Sequence, residues 1–279
     1  MSLPFLAAAD LAERVSVTAA IDALEAALLA GVDPEADPPR SALALEGGEL
    51  LVMPSAATGH AVVKLVTVGG QPRIQGVCVV FDATTLAPVA LVDGIALTNV
   101  RTPAVSALAV QRLPVSDARR LLVFGRGPQA HGHVAAIRAV RPIEHVDMLG
   151  RDAAGVEELV GAADIVCCAT TAREPLFDGS LVADHATVVA IGSHEPDARE
   201  VDDALVRRAT VVVESRASAL REAGDVIGAV AAGALREDAL VTLADVVCGR
   251  VVVPGDRPRL FKSTGMAWED AVVASALVR

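Results

Sequence analysis

Residues 121–130, Leu-Leu-Val-Phe-Gly-Arg-Gly-Pro-Gln-Ala, decide the fold. An apolar run ends in the pattern Gly125-x-Gly127-x-x-Ala130, and a helical segment over 129–140 follows. A strand that leads through such a turn into a helix is typical of dinucleotide-binding sheets. The alternative is an ordinary strand-to-helix turn that contains two glycines. Gly125 would permit the tight turn, Gly127 would let a pyrophosphate approach the backbone, and Ala130 would let the helix pack closely on the sheet. The helix dipole favours the phosphate, so the predicted dinucleotide-binding residues are Gly125, Gly127, Pro128, Gln129 and Ala130.

The region after this turn alternates apolar runs with helical segments. The runs are HVDML (145–149), DIVCCA (164–169), TVVAIG (187–192) and TVVVE (210–214). Unbroken apolar runs are typical of strands that are buried on both faces. Their alternation with helices predicts an α/β fold with a doubly wound parallel sheet.

The region before the turn has a different pattern of apolar runs and turn residues. Between residues 40 and 93, glycines and prolines separate five β-type runs at hairpin-like intervals, which predicts a mostly antiparallel sheet. A helix is predicted over residues 98–113, and another closes the chain from Gly265.

Composition limits the function classes. The net charge of −11 argues against a broad nucleic-acid surface. We expect no membrane span, because no stretch approaches the ~20 uncharged apolar residues that a membrane helix needs. The start of the chain lacks the basic residues of a secretory signal, and the four cysteines form no C-x-x-C pair. We therefore expect a cytoplasmic protein with reduced thiols and no metal site.

Several segments together resemble the ornithine cyclodeaminase/mu-crystallin family over nearly the whole chain. The most specific are RT-x-A-x-SALA from Arg101 and FKS-x-G-x-A-x-ED from Phe261. The resemblance implies a Rossmann domain (113–255) that is inserted in an α+β substrate and dimerisation domain (1–112, completed by 256–279). It also implies a homodimer. The other matching segments are KLVTV (64–68), LVDGIALTNV (91–100), GRGPQA (125–130), GSHEPDAREVDD (192–203) and ESRASALREAGDV (214–226).

The resemblance further implies a nicotinamide cofactor and a small 2-amino, 2-imino or 2-keto acid, whose carboxylate meets Arg40, Lys64 and Arg101. Converging cations are the usual solution for binding a carboxylate. For both arginines the alternative is a surface salt bridge. Lys64 lies mid-strand, on either a solvent face or a pocket. In a pocket near other cations its pKa would be depressed, which suits proton transfer. Arg101 is predicted in the first turns of a helix, where an anion is favoured.

Three further residues, Thr102, Arg151 and Ser263, are predicted to bind the cofactor. Arg151 follows the second strand and suits a 2′-phosphate, so we expect NADP(H) to be preferred. The neighbouring Asp152 leaves NAD(H) possible, and a solvated loop arginine is the alternative for Arg151. Thr102 and Gln129 match family positions near the phosphates. Ser263 is predicted to cap the last helix and to reach the nicotinamide amide.

Two departures from the family pattern bear on the reaction. His194 stands where the cyclodeaminase has the aspartate that is linked to ring-closing deamination, and a histidine can move a proton near neutral pH. A reductase or dehydrogenase that acts on a C=N or C–N bond therefore fits better than ornithine cyclisation. The alternatives are a true cyclodeaminase and a non-catalytic NADPH-binding protein. The second departure is a short connection between Arg151 and the next strand, which indicates a trimmed Rossmann domain.

Overall fold

Two sheets organise the chain in a computed structural model that describes residues 3–115 and 117–278. The chain forms two compact units, Met1–Val105 with Met266–Arg279, and Ser106–Gly265. The domain boundaries predicted from the sequence, after residues 112 and 255, stay a prediction. The helix Gly94–Arg112 continues past Val105, and the strand Arg259–Lys262 pairs with strands of the second unit.

The first unit contains a six-stranded sheet with the order β1-β6-β5-β4-β3-β2. Neighbouring strands from β2 to β6 pair antiparallel, as predicted, whereas β1 pairs parallel with β6. The strands are β1 (Phe5–Leu6), β2 (Ser41–Leu45), β3 (Gly48–Ala57), β4 (His60–Gly69), β5 (Ile74–Asp82) and β6 (Pro88–Asp93). The helices that begin in this unit are α1 (Ala8–Arg14), α2 (Val17–Leu29), α3 (Gly94–Arg112) and α10 (Ala267–Leu277).

The two faces of this sheet differ in burial. Helix α10 covers one face, where Leu51, Met53 and Val66 pack against Ala267. Alternate side chains of the same strands point to the other face, as the two-residue period of a strand requires. On that other face the apolar side chains are only half-buried. Lys64 lies on the covered face, since it pairs with Met53 across β3 and β4.

The second unit contains a seven-stranded sheet in which all pairs are parallel, with the order β12-β11-β13-β10-β9-β7-β8. This confirms the doubly wound parallel sheet. The strands are β7 (Arg120–Phe124), β8 (His145–Leu149), β9 (Ile165–Cys168), β10 (Thr187–Ala190), β11 (Thr210–Val213), β12 (Val241–Thr242) and β13 (Arg259–Lys262). The helices are α4 (Pro128–Val140), α5 (Val156–Ala162), α6 (Asp203–Arg208), α7 (Arg216–Glu222), α8 (Gly224–Ala231) and α9 (Leu243–Val247).

The strand order reverses at β7. The chain passes from β7 to its neighbour β8 on one side, and then returns to β9 on the other side. In open α/β sheets, ligands bind outside the carboxyl ends of the strands at such a reversal. Among the described residues, strand β8 is the edge of the sheet, and α5 is the one regular element between β8 and β9. The short connection seen in the sequence therefore leaves no strand beyond β8 in the part of the chain that the structure describes.

Candidate functional site

The glycine turn lies at the strand reversal, between the end of β7 and the start of α4. Gly125 has φ +120°, and a Cβ there would overlap the carbonyl oxygen of Ala169 at the end of β9. At Gly127, the N-cap of α4, no described atom outside its immediate chain neighbours and the backbone of α4 lies within 4 Å of where a Cβ would stand. Open space at the N-terminus of a 13-residue helix suits a phosphate. The turn therefore fits the pyrophosphate of a dinucleotide.

A buried carboxylate ties together the next two strand ends along this edge. Glu200 is fully buried and accepts hydrogen bonds from Thr170 N (2.9 Å), Thr170 Oγ1 (2.7 Å) and Gly192 N (2.7 Å). Burial raises the pKa of Glu200 to about 7, and the positive charge of Lys262 opposes that rise. The role of Glu200 in joining these two strand ends was not predicted from the sequence. The residues after β9 and β10 are held in place by one side chain that comes from a later loop.

Two arginines lie at the carboxyl end of β8. Arg151 is exposed and follows Gly150 directly. Arg126, from the glycine turn, donates a long hydrogen bond to Met148 O (3.4 Å). Its Nε lies 3.6 Å from where a Cβ on Gly150 would stand. This is the strand end at which dinucleotide-binding sheets contact the adenosine ribose, so the structure adds Arg126 to the predicted Arg151.

Ser263 is held by a second buried carboxylate. Its Oγ donates to Glu214 Oε1 (2.6 Å), and the other oxygen of Glu214 accepts from Thr264 N (3.0 Å) and Gly265 N (3.1 Å). The predicted capping role of Ser263 is wrong. The N-cap of α10 is Met266, and the hydroxyl of Ser263 donates to Glu214 instead of accepting from the first turn of the helix. The predicted contact of Ser263 with the nicotinamide amide stays a prediction.

His194 lies half-buried in a loop that follows β10. The preceding residue anchors this loop, since Ser193 O accepts a hydrogen bond from Lys262 Nζ (2.8 Å). The same ammonium pairs with Asp225 Oδ2 at 3.0 Å, and both of these charged side chains are fully buried. The backbone next to His194 is therefore fixed by the ammonium group of Lys262. The part of the His194 side chain in proton transfer stays a prediction.

In the first unit, a buried cluster of charges surrounds Lys64. Lys64 Nζ donates to Thr98 Oγ1 (2.5 Å) and to Asp270 Oδ1 (3.0 Å) and Oδ2 (3.3 Å). Arg101 pairs through Nε with Asp270 Oδ1 (3.3 Å) and through Nη1 with Glu269 Oε2 (2.6 Å). Lys64 therefore lies in a buried site rather than on a solvent face. The two acids, Glu269 and Asp270, come from α10, and no role was predicted for them from the sequence.

Desolvation by burial lowers the pKa of Lys64 from its ordinary value, and the nearby charge of Arg101 lowers it further. Asp270 opposes both effects. This direction agrees with the expected depressed pKa and suits a group that gives up a proton.

The predicted position of Arg101 at the start of a helix is wrong. Asp93 Oδ1 accepts hydrogen bonds from Ile95 N (2.9 Å) and Ala96 N (3.0 Å), so α3 begins at Gly94. Arg101 then lies two turns inside the helix, beyond the first turn where the dipole favours an anion. Its orientation comes from the carboxylates of α10.

The other predicted residues lie as follows. Arg40 is half-buried and directly precedes β2, whose first residue Ser41 pairs with Val52. Thr102 is buried, and its Oγ1 has no hydrogen-bond partner among the described residues, which fits a phosphate oxygen as acceptor. Gln129 lies in the first turn of α4. Two of the three residues predicted to bind the substrate carboxylate, Lys64 and Arg101, lie side by side, and both contact the carboxylate of Asp270. Their contact with a substrate stays a prediction.

Nearly the whole chain matches the sequence model of a known protein family. Residues 3–160 and 151–279 match the sequence model of the ornithine cyclodeaminase/mu-crystallin family. The chain belongs to this family. The resemblance seen in the sequence is thereby confirmed. The two matched segments share residues 151–160, which lie within the short connection between β8 and β9.

Relatives in the ornithine cyclodeaminase/mu-crystallin family carry names of imine reductases. A Δ1-pyrroline-2-carboxylate reductase of Colwellia psychrerythraea is 36% identical over 232 residues, which are 74% of this chain and 73% of that protein. The ketimine reductase mu-crystallin of Mus musculus is 34% identical over 252 residues, 81% of this chain and 79% of that protein. A solved Δ1-pyrroline-2-carboxylate reductase of Thermococcus litoralis, in complex with NADH and L-proline, has a TM-score of 0.91 at 28% identity, covering 99% of this chain and 96% of that one.

The described part of the chain contains neither a candidate metal cluster nor a candidate membrane helix. No group of three or more histidine, cysteine or acidic side chains could hold a metal ion across residues 3–115 and 117–278. Over the same residues, no helix has both the length and the apolar character that crossing a membrane requires.

Proposed function

We propose that this protein reduces small 2-imino acids, cyclic ones such as Δ1-pyrroline-2-carboxylate included, with NAD(P)H, and oxidises the 2-amino acids in reverse. The observation that carries the proposal is the buried pair of cations, Lys64 and Arg101, in a chain that also contains a dinucleotide turn. The names of the relatives support the same reaction.

The cation pair suits both needs of this reaction. A cyclic 2-imino acid carries its carboxylate on the carbon of the C=N bond. Cations that bind the carboxylate therefore also fix that carbon, and Arg101 adds a planar fork that sets its orientation. A nicotinamide cofactor, once held through the glycine turn, would supply the hydride chemistry. Lys64, with its lowered pKa, supplies the proton to the nitrogen.

The test is an assay of NADPH oxidation with Δ1-pyrroline-2-carboxylate and Δ1-piperideine-2-carboxylate. We expect turnover with at least one of these two acids. Release of ammonia from ornithine without net absorbance change at the nicotinamide band would instead identify a cyclodeaminase. Tight NADPH binding without turnover of any imino or amino acid would identify a binding protein.

Arg101→Ala should raise KM for the imino acid by about tenfold or more, because a charged hydrogen-bonding partner of the carboxylate is lost. Steady-state kinetics at saturating NADPH measure this effect. Arg112→Ala is the matched control, since Arg112 is an exposed arginine in the last turn of the same helix. An unchanged KM in a folded Arg101→Ala protein would remove Arg101 from the substrate site.

We also propose that NADP(H) is the preferred cofactor. The support is the pair Arg126 and Arg151 at the carboxyl end of β8, since two guanidinium groups suit a 2′-phosphate. Asp152 follows directly and leaves NAD(H) as the alternative.

Arg126→Gln and Arg151→Gln should each raise KM for NADPH by about tenfold, with little change in KM for NADH, because NADH lacks the 2′-phosphate. Kinetics with both cofactors measure this. Arg138→Gln, an exposed site in the last turn of α4, is the control. If the unmodified protein strongly prefers NADH, or if both cofactors lose affinity equally, the 2′-phosphate assignment is wrong.

We further propose that the protein is a homodimer through the half-exposed face of the first sheet. The register places Pro54, Val63, Val79 and Leu91 in one row across four neighbouring strands on this face. A continuous apolar row on a sheet surface is typical of an interface. Light scattering should give the mass of a dimer, and Val63→Asp should shift it toward the 28.5 kDa monomer. A monomeric unmodified protein would contradict the proposal.

A cytoplasmic location is proposed from the cysteines. All four are free thiols, and three of them are buried. Free thiols are usual in reducing compartments. Fractionation of the source cells tests this.

A further inference from the structure

Lysine is rare in this chain. Of its 24 basic residues other than histidine, only Lys64 and Lys262 are lysines, and the remainder are arginines. Both lysines are buried, and each pairs with an aspartate at 3.0 Å, Lys64 with Asp270 and Lys262 with Asp225. The chain therefore uses arginine for its surface cations, and keeps the ammonium group for two interior positions.

The partner of Lys64 is shared. Asp270 Oδ1 accepts from Lys64 Nζ (3.0 Å) and also from Arg101 Nε (3.3 Å). The residues come from three elements, since Lys64 lies in β4, Arg101 in α3 and Asp270 in α10. Two cations with almost no solvent contact repel each other strongly, because little water screens them. A carboxylate between them removes most of that cost.

We propose that Asp270 is a positioning residue, whose carboxylate holds Lys64 and Arg101 side by side as two charged groups that together receive the substrate carboxylate. This inference rests on the proposed imine-reducing site. It assigns a role to the acidic pair that ends the FKS-x-G-x-A-x-ED segment.

The neighbouring acid provides an internal comparison. Glu269 contacts Arg101 through Oε2 at 2.6 Å, and Asp270 is the acid that contacts both cations. Both acids are fully buried. Loss of the Glu269 charge should therefore affect Arg101, whereas loss of the Asp270 charge should affect both cations.

The charged and titratable groups that face Lys64 set the direction of a pH effect. They are Asp270 from α10, Arg101 from α3 and Cys78 from β5, and burial raises the pKa of the Cys78 thiol to about 12, so it stays neutral near pH 7. Asp37 lies near Asp270, and burial raises the pKa of Asp37. Asp270 is the partner that favours the charged form of Lys64. Its neutralisation therefore lowers the pKa of Lys64 further, and protonated Lys64 is lost at a lower pH.

Because the chain has only two lysines, the expected change in the pKa of Lys64 can be measured directly. Lysine labelled with ¹³C at the ε carbon gives two side-chain signals, from Lys64 and Lys262, and the variant Lys64→Met assigns them. In Asp270→Asn the titration of the Lys64 signal should move to lower pH by about one unit or more, since an opposite charge at this distance shifts a pKa by that order. Glu269→Gln should move it less, and the Lys262 signal should follow the same course in all proteins. A Lys64 titration that is identical in Asp270→Asn and in the unmodified protein would overturn the proposal.

Kinetics provide the second readout. In Asp270→Asn the high-pH limb of kcat/KM for the imino acid should shift with the Lys64 signal, and NADPH binding should be unchanged. If Asp270→Asn does not fold, as judged by circular dichroism, Asp270→Glu retains the charge but displaces it by one methylene. That variant should raise KM for the imino acid about tenfold or more, and an unchanged KM would overturn the proposal. Failure of the proposed function appears separately, as absence of imine reduction by the unmodified protein.

Discussion

Lys64→Met should lower kcat/KM for a cyclic 2-imino acid by about 10²- to 10⁴-fold, the range that a positioned proton donor contributes. Methionine retains the approximate volume of the lysine side chain but carries no charge and no ionisable proton that it could donate. Asp270 keeps Arg101 as its partner in this variant, at 3.3 Å, so the buried carboxylate is not left alone and the protein should fold. Initial rates of NADPH oxidation across a range of imino-acid concentrations measure the loss.

Lys64→Arg separates the two tasks of the ammonium group. Arginine keeps the positive charge, so part of the carboxylate binding should survive, but a guanidinium group does not release its proton at any pH of the assay. We expect kcat to fall far more than KM rises. A Lys64→Met protein that keeps more than a tenth of the original kcat/KM would show that another group, with His194 as the first candidate, supplies the proton.

The parts of the fold that depend on residues close together along the chain were predictable from the sequence. The strand over 121–124, the turn at Gly125 and the parallel sheet follow from local patterns of apolar residues and glycine. The start of α3 was missed by four residues, because Asp93 caps the helix with its side chain while the pattern of apolar residues becomes regular only later. Local periodicity gives the type of an element more securely than its ends.

The parts of the site that depend on distant contacts were not predictable. Whether Lys64 faced solvent or a pocket stayed open, because α10, which covers that face of the sheet, comes 206 residues later at Asp270. The pairing of Glu200 with Thr170 and the position of Arg126 beside Gly150 are contacts of the same kind. Acidic residues carry little local signal, since most are solvated. The one available signal was the FKS-x-G-x-A-x-ED segment, which was assigned to the family without a role for its acids.

Gly127→Ala should weaken NADPH binding by about 100-fold and leave the stability of the protein almost unchanged. Gly127 has φ −83°, which any residue adopts, and no described atom outside its immediate chain neighbours and the backbone of α4 lies within 4 Å of the new Cβ. The added methyl group therefore strains nothing in the free protein. It occupies the space through which a pyrophosphate reaches the N–H groups of α4, and the lost charged hydrogen bonds account for the expected factor. Quenching of protein fluorescence on titration with NADPH measures the affinity, and thermal unfolding measures the stability.

Gly125→Ala is the matched variant with the opposite expectation. Here φ is +120°, and the new Cβ overlaps the Ala169 carbonyl at the end of β9, so the free protein itself should lose about 2 kcal/mol or more of stability. The two glycines stand two residues apart in one turn, yet we expect one to be required by the fold and the other by the ligand. If Gly127→Ala binds NADPH as well as the unmodified protein does, the turn is an ordinary strand-to-helix connection, and the cofactor must bind elsewhere. If both variants lose stability equally, the open space at Gly127 is filled in solution, and its glycine serves packing rather than phosphate binding.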